Sequence, residues 1–274
     1  MNKTKIEWCD YTWNPVTGCL NGCEYCYAKK IVQRFQGWTD DDGWTHYDVL
    51  LHKDEPIRVL DHPLYVAYEN TKGKFPQAPY PFGFKPTFYR YRLNEPKQVK
   101  HPAKIFVCSM ADLFGDWVPA EWINEVIEVA KECPQHTFMF LTKNPGRYFE
   151  FEFPENCWLG ASTGDKPDDK TSTNPDGTFI VSNVHSVADI MRFLPRSFIS
   201  FEPLRCDAAA DLSLDCISWV IIGAQTGPGA ILPKKEWIQD IIDVAREDGV
   251  PVFMKNNLKE VWDKELIQKW PVLV

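Results

Sequence analysis

Apolar residues recur along the chain in two rhythms: short, mainly apolar runs, and stripes at helical spacing. The runs cover 105–110, 137–142, 157–162, 197–201, 219–223 and 252–254. Each reads as a strand buried on both faces, because a half-buried strand would alternate apolar with polar residues. Between the runs, Trp122, Ile123, Val126, Ile127 and Ala130 stand at helical spacing, with Pro119 in the expected first turn. Val187, Ile190, Met191 and Leu194 form a second such stripe, and Trp237, Ile238, Ile241, Ile242 and Ala245 a third. Buried strands alternating with amphipathic helices predict parallel βαβ units. Counting an extended, aromatic-rich opening segment over 6–16, the chain holds about seven such strands. The expected fold class is α/β, a partial or complete TIM-type (β/α) barrel of parallel strands. An open doubly wound sheet is the alternative, weakened because no G-x-G-x-x-G follows the first strand.

The rhythm fails between about 36 and 102, which holds an acidic turn at 39–43 and a Pro- and aromatic-rich passage at 75–84. Long aperiodic stretches in compact domains are usually functional or poorly ordered. The expected organisation is one domain, 1–274, with an irregular insertion at about 36–102 after the first βα unit. The end of that stretch changes character. Lys85, Arg90, Arg92, Lys97, Lys100 and Lys104 face one acid, Glu95, with Phe88, Tyr89 and Tyr91 interleaved. Cations beside stacking rings suit a nucleic-acid strand or a nucleotide, which makes Arg90 and Arg92 candidate substrate contacts. A solvated surface strand would have the same composition.

Composition narrows the setting. A chain of 274 residues that is 44% hydrophobic can bury a large core. A net charge of −8 argues against a surface coated in positive charge for gripping duplex nucleic acid, while leaving room for a local basic groove. No apolar run approaches the roughly 20 residues that span a bilayer. The start, MNKTKIEWCD, has no apolar signal-peptide core, so a reducing cytoplasm and no membrane partner are expected. Nine cysteines in such a compartment point to metal or core roles, and an odd number cannot all pair.

Three of them dominate the chemistry. Cys19, Cys23 and Cys26 lie within eight residues as C-x3-C-x2-C, in a loop marked by Gly18, Asn21 and Gly22. The loop follows the extended opening and precedes a short helix at 27–35, giving strand, ligand loop, helix. Three thiolates leave one metal of an iron–sulfur cube without a protein ligand, open to another molecule. Structural zinc is the inorganic rival, but it needs a fourth ligand. Cys9 or His46 could serve, though neither has diagnostic spacing. Cys108, Cys133, Cys157, Cys206 and Cys216 are expected to be core residues, since cysteine packs as a small hydrophobe.

In a β/α barrel the chemistry sits at the C-terminal ends of the strands. Those ends carry Ser109 with Asp112 nearby, Lys143, Ser162, Glu202, the glycine-rich GAQTGPG segment containing Gln225, and Lys255. Glycines there let the backbone approach a ligand closely. By chemical type, Glu202 suits ribose hydroxyls and Lys143 suits a carboxylate or phosphate.

With these residues in view, the sequence resembles the radical S-adenosylmethionine (SAM) enzymes, whose signature is C-x3-C-x2-C with an aromatic residue before the last cysteine, here Tyr25. More closely, it resembles a phage-encoded and bacterial three-cysteine protein family of poorly defined function. The matching pieces are IEWCDYTWNPVTGC, CEYCYA, IFVCSMADLF, FLTKNPGR, NCWLGAST, FISFEPL, WVIIGAQTGP and VPVFMKN. Three features depart from those relatives. Many have a longer gap between the first two cysteines. Most carry a glutamate in a GGESGP-like segment where Gln225 stands, and a lysine-glutamine-tryptophan sequence where Lys255-Asn256-Asn257 stands.

The resemblance implies that Cys19, Cys23 and Cys26 ligate a [4Fe–4S] cluster and that SAM chelates the fourth iron. Electron transfer into the sulfonium then releases a 5′-deoxyadenosyl radical that abstracts hydrogen from a substrate. It further implies Tyr25, Ser109, Asp112, Ser162 and Glu202 as SAM contacts, and Lys143, Gln225 and Lys255 as substrate contacts. An electron donor such as flavodoxin or ferredoxin, and a bacterial or phage-infected host cell, complete the picture. The substrate it suggests is a nucleobase in phage DNA, such as a modified thymine, for rearrangement or modification. A peptide or a small metabolite is the alternative substrate, and a non-catalytic Fe–S or zinc module the alternative class.

Overall fold

Each apolar run of the sequence forms a strand, and the strands pair mostly in parallel. In this computed structural model the described residues are 1–35, 57–65, 77–165, 172–173, 179–180 and 184–271. The acidic turn at 39–43, His46 and most of the polar stretch 164–177 lie outside them. The chain groups into two compact units, Met1–Thr4 with Cys9–His136, and Lys5–Trp8 with Thr137–Val274.

The first unit contains β1 (Asn2–Lys3), β2 (Tyr11–Trp13), β3 (Val16–Thr17), α1 (Tyr27–Phe35), β4 (Arg58–Leu60), β5 (Thr87–Tyr89), β6 (Lys104–Val107) and α2 (Ala120–Glu132). Strand β2 pairs antiparallel with β1 and parallel with β6, with Tyr11 opposite Ile105. Asn14-Pro15 interrupts the opening extended segment, as a residue without an N–H should. The chain then continues as β3, which pairs with β5, and β5 pairs with β4. Part of the stretch expected to be an irregular insertion is therefore a small ordered sheet. All three residues of β5 are buried, and Phe88 stacks on Trp122 with ring centroids 5.1 Å apart. Phe88 and Tyr89, two of the three rings expected beside the cations, do lie under Arg90 and Arg92, but both are buried in the core. In α2 the stripe Trp122, Ile123, Val126, Ile127 and Ala130 is buried as its spacing predicts, with Pro119 at the N-cap.

The second unit contains β7 (Thr137–Thr142), β8 (Cys157–Thr163), the hairpin strands β9 (Ser172–Thr173) and β10 (Phe179–Ile180), α3 (Val184–Met191), β11 (Ser197–Phe201), β12 (Trp219–Ile222), α4 (Lys235–Glu247) and β13 (Val252–Met254). Its main strands are hydrogen-bonded in the order β7-β8-β11-β12-β13, and every pair is parallel. The α/β class holds; among the described residues no pairing closes this sheet on itself. Aromatic rings fill its core. Trp219 stacks on Trp270 at 5.0 Å and lies 5.8 Å from both Phe198 and Phe253. Trp8 reaches Phe198 at 6.3 Å.

Cys108, Cys133, Cys157 and Cys206 are buried, whereas Cys216, expected in the core, is exposed. It sits at φ 66° in the turn before β12, where the side chain is carried outward. No described helix is long and apolar enough to cross a membrane.

A β-carbon at Gly160 of β8 would stand 2.2 Å from the Phe198 ring, which packs against Trp8 and Trp219. Gly160→Ala therefore overpacks a filled core and should cost about 1–3 kcal/mol. Urea denaturation should show a lower midpoint with an unchanged slope; an unchanged midpoint would contradict this packing.

Candidate functional site

The cysteine loop is fixed at its root before the first cysteine. Gly18 has φ 87°, a left-handed conformation that glycine adopts without strain. A β-carbon there would stand 2.3 Å from the Lys85 carbonyl oxygen and 2.7 Å from that of Phe84. The Gly18 N–H donates to the Met110 carbonyl at 3.0 Å, and Gly18 bridges Ala111 in parallel. The loop thus springs from a point pressed between two backbone segments. Cys108, with φ 57°, ends β6 and donates its N–H to the Trp13 carbonyl at 2.8 Å.

Beyond the root, the three cysteines are half-buried and free of disulfides. The Cys19 thiol is pushed up to about 12, first by burial and then by the Asp112 charge, with backbone N–H groups of Asn21 and Asp112 pulling the other way. As a thiol it keeps its proton at neutral pH, and metal coordination would remove that proton outright. Cys26 immediately precedes α1, and the Lys29 N–H lies 3.4 Å from its sulfur. Among the described residues, no three His, Cys, Asp or Glu side chains already stand together as a metal-binding group. In chemical kind the loop nevertheless fits an iron–sulfur cluster: three cysteines outside any disulfide, with amide N–H groups directed at two sulfurs.

Two asparagines, Asn14 and Asn21, hold the surroundings. The Asn14 side-chain oxygen accepts from the Ser109 hydroxyl at 3.2 Å and the Met110 N–H at 3.0 Å. The Tyr27 hydroxyl donates to the Ser109 carbonyl. Asp112 is buried; it accepts from the Asn21 side chain at 3.0 Å and the Phe114 N–H at 3.2 Å. Tyr25 is half-buried beside Cys26. The only sequence signal for Asn14 was its place between a strand and a proline.

In the second unit, register sets the strand-end residues on one face. Ser162 pairs with Ser200, and Ser200 with Ile221. Two residues further along the same strand directions, where side chains return to that face, stand Glu202, Gly223 and Lys255. Glu202 and Lys255 form an ion pair, with side chains 25% and 15% exposed. A β-carbon at Gly223 would lie 3.0 Å from both of their Cδ atoms, so glycine makes room for the pair. The Ser162 hydroxyl donates to the Glu202 carbonyl at 3.2 Å. Asn257 clamps the end of β12: its side-chain oxygen accepts from the Ala224 N–H at 3.1 Å, and its NH2 donates to the Ala224 carbonyl at 2.8 Å. Gln225 accepts from the Ile231 N–H at 3.4 Å, bridging its glycine-rich loop. Lys143 pairs with Asp165 at 3.0 Å, both partly buried.

In the first unit the structure brings Cys19 near Cys23 and Asp112, ties Asp112 to Asn21, and ties Ser109 to Asn14 and Tyr27; Cys26 and Tyr25 adjoin this group along the chain. Ser162, Glu202 and Lys255 form a second group in the other unit. Arg90 and Arg92 stand apart from the loop's hydrogen bonds. Arg90 is bound to Glu125 and Asp61, both at 3.0 Å, and covers Phe88. Arg92 lies over the Tyr89 ring at 4.1 Å and donates to the Asn14 carbonyl at 3.2 Å.

A family model described as "Protein of unknown function (DUF5131)" matches residues 3–266, including the cysteine loop and all the strand-end residues above. The chain belongs to this family. No curated protein matches the sequence. Among solved structures, it is similar to spore photoproduct lyase complexed with dinucleoside spore photoproduct, with a TM-score of 0.47 and 10% identity. That match covers 90% of this chain and 63% of the other, so the chain spans less than two thirds of the lyase. A radical SAM methyltransferase from Sphaerobacter thermophilus matches at a TM-score of 0.36 and 15% identity, over 61% of this chain and 54% of the other.

Burial pushes the Cys108 and Cys157 thiols up to about 12. At pH 8 they hold almost no thiolate, the reactive form. Iodoacetamide should therefore label exposed Cys216 in the folded protein and reach Cys108 and Cys157 only after denaturation. Peptide mapping that found native Cys108 labelled as fast as Cys216 would contradict the placement.

Proposed function

We propose that the chain is a radical SAM enzyme in which Cys19, Cys23 and Cys26 hold a [4Fe–4S] cluster and SAM occupies its open position. The observation that carries this reading is the loop itself: three disulfide-free cysteines spaced C-x3-C-x2-C, with backbone N–H groups directed at the sulfurs of Cys19 and Cys26. When bound, cluster and SAM together supply one-electron reductive cleavage of the sulfonium and hydrogen abstraction from a substrate. An external reductant, a flavodoxin or ferredoxin, provides the electron. On this reading the parallel strands belong to a partial (β/α) barrel.

The protein's own residues bind and orient. Gly18 and Asn14 hold the root of the loop and the Ser109–Met110 backbone in place. Tyr25, Ser109, Ser162 and Glu202 are the proposed SAM contacts. The partly buried Glu202–Lys255 pair presents an acceptor and a donor side by side, suited to a polar ligand group that bonds to both. Lys143 and Gln225 are proposed on the substrate side. Anaerobic reconstitution with iron and sulfide, followed by dithionite and SAM, should yield 5′-deoxyadenosine. Changing Cys19, Cys23 or Cys26 to alanine should abolish both bound iron and product. Loaded wild-type protein that releases no 5′-deoxyadenosine would sink the reading.

The finer part of the proposal is a nucleobase substrate in DNA, a modified thymine among the possibilities, met in single-stranded or flipped form. Its support is the cationic stretch around Arg90, whose side chain is 41% exposed although ion-paired. A titration with single-stranded DNA should show affinity falling steeply with salt, and Arg90→Ala with Arg92→Ala should flatten that slope. Binding without salt dependence, or untouched by the two changes, would direct the search to peptides and small metabolites.

A further inference from the structure

Asp112, which the resemblance offers as a SAM contact, also carries hydrogen bonds that point to a further role. It is buried at 6% exposure, on the segment against which the root of the cysteine loop is pinned by Gly18 to Met110 and Ala111. One carboxylate oxygen accepts from the Phe114 N–H at 3.2 Å, which fixes the carboxylate to its own turn. The other accepts from the Asn21 side chain at 3.0 Å. Asn21 stands two residues from both Cys19 and Cys23, so this bond ties the middle of the ligand loop to a buried anion. The carboxylate charge is thereby held one hydrogen bond from the loop that carries Cys19 and Cys23.

A carboxylate that only capped a turn would not need a bond into the cysteine loop. One bonded into the ligand loop acts on whatever charge the loop's sulfurs carry, because a buried site screens poorly. Adding an electron to a thiolate-bound cluster makes it more negative, and a fixed anion nearby makes that addition harder. Reduction potentials of such clusters respond to charge and to hydrogen bonds around the sulfurs.

We propose that Asp112 is a positioning residue for the cysteine loop: through Asn21 it sets the placement of Cys19 and Cys23, and its charge holds the potential of the bound cluster low. This rests on the reading of the loop as a cluster site. Two substitutions separate the two effects. Asp112→Asn removes the charge and keeps an acceptor for Asn21; Asn21→Ala removes the bond and keeps the charge.

In an EPR-monitored redox titration of reconstituted protein, Asp112→Asn should raise the ratio of reduced to oxidised cluster about tenfold at a fixed potential. For a one-electron couple that is about 59 mV upward. Asn21→Ala should leave the potential near wild type and lower iron retention about two- to fivefold. In metal-free protein, Asn21→Ala should also speed alkylation of Cys19 and Cys23 about as much, with Cys216 as the internal reference. This arm stands even if Asp112→Asn folds poorly. Equal alkylation rates would overturn the anchoring role, and an unmoved potential in loaded Asp112→Asn would overturn the electrostatic one. Failure of the wild type to hold any iron–sulfur cluster would instead remove the reading beneath both.

Discussion

The cysteine loop depends on one position that tolerates no side chain. At Gly18 the backbone turns left-handed with the carbonyls of Phe84 and Lys85 against it, and it reaches across to Met110 and Ala111. Any β-carbon there must push backbone rather than a flexible side chain, so the loop would lose its root before it lost a ligand. Three distant stretches of sequence, 14–18, 84–85 and 108–112, meet at that point. Asn14 ties the first of them to the third, through the Ser109 hydroxyl and the Met110 N–H. The small sheet of β3, β4 and β5 takes its meaning from this: it delivers the 84–85 backbone against the loop's root.

In the second unit a glycine again makes space, here for charge. Parallel strands buried on both faces are apolar along their length, and polar groups are confined to where hydrogen-bonded pairing ends. Gly223 lies between Glu202 and Lys255, leaving room for an ion pair that is neither fully buried nor free in water. Such a pair contributes modestly to stability, because desolvation offsets much of its attraction. Its value lies in holding a donor and an acceptor at fixed positions.

Much of this was legible in the sequence because buried parallel strands announce themselves as mainly apolar runs. The second unit's parallel strands β7, β8, β11, β12 and β13, strand β6 of the first unit, and helices α2 and α4 follow the hydrophobic pattern closely. What stayed hidden was short or distant. Strands of three residues such as β4 and β5 carry no period, so nothing in the sequence marks Phe88 and Tyr89, which do lie under arginines, as buried core rings. Arg90 looked available because its partner Glu125 lies on another helix, 35 residues away. Cys216 looked apolar by type, yet its left-handed turn carries it outward. At the candidate site the cysteines were legible from spacing alone. The roles of Asn14, Asn21 and Asn257 were not, since a single asparagine gives no pattern until its partners are known.

The central claim is that the three-cysteine loop holds a cluster with a position open to SAM. EPR of the anaerobically reconstituted, dithionite-reduced protein, recorded with and without SAM, tests it directly. The account predicts the signal of a reduced [4Fe–4S] cluster whose shape changes when SAM is added. A cluster signal indifferent to SAM, or a protein that takes up zinc in preference to iron and shows no signal, would contradict it.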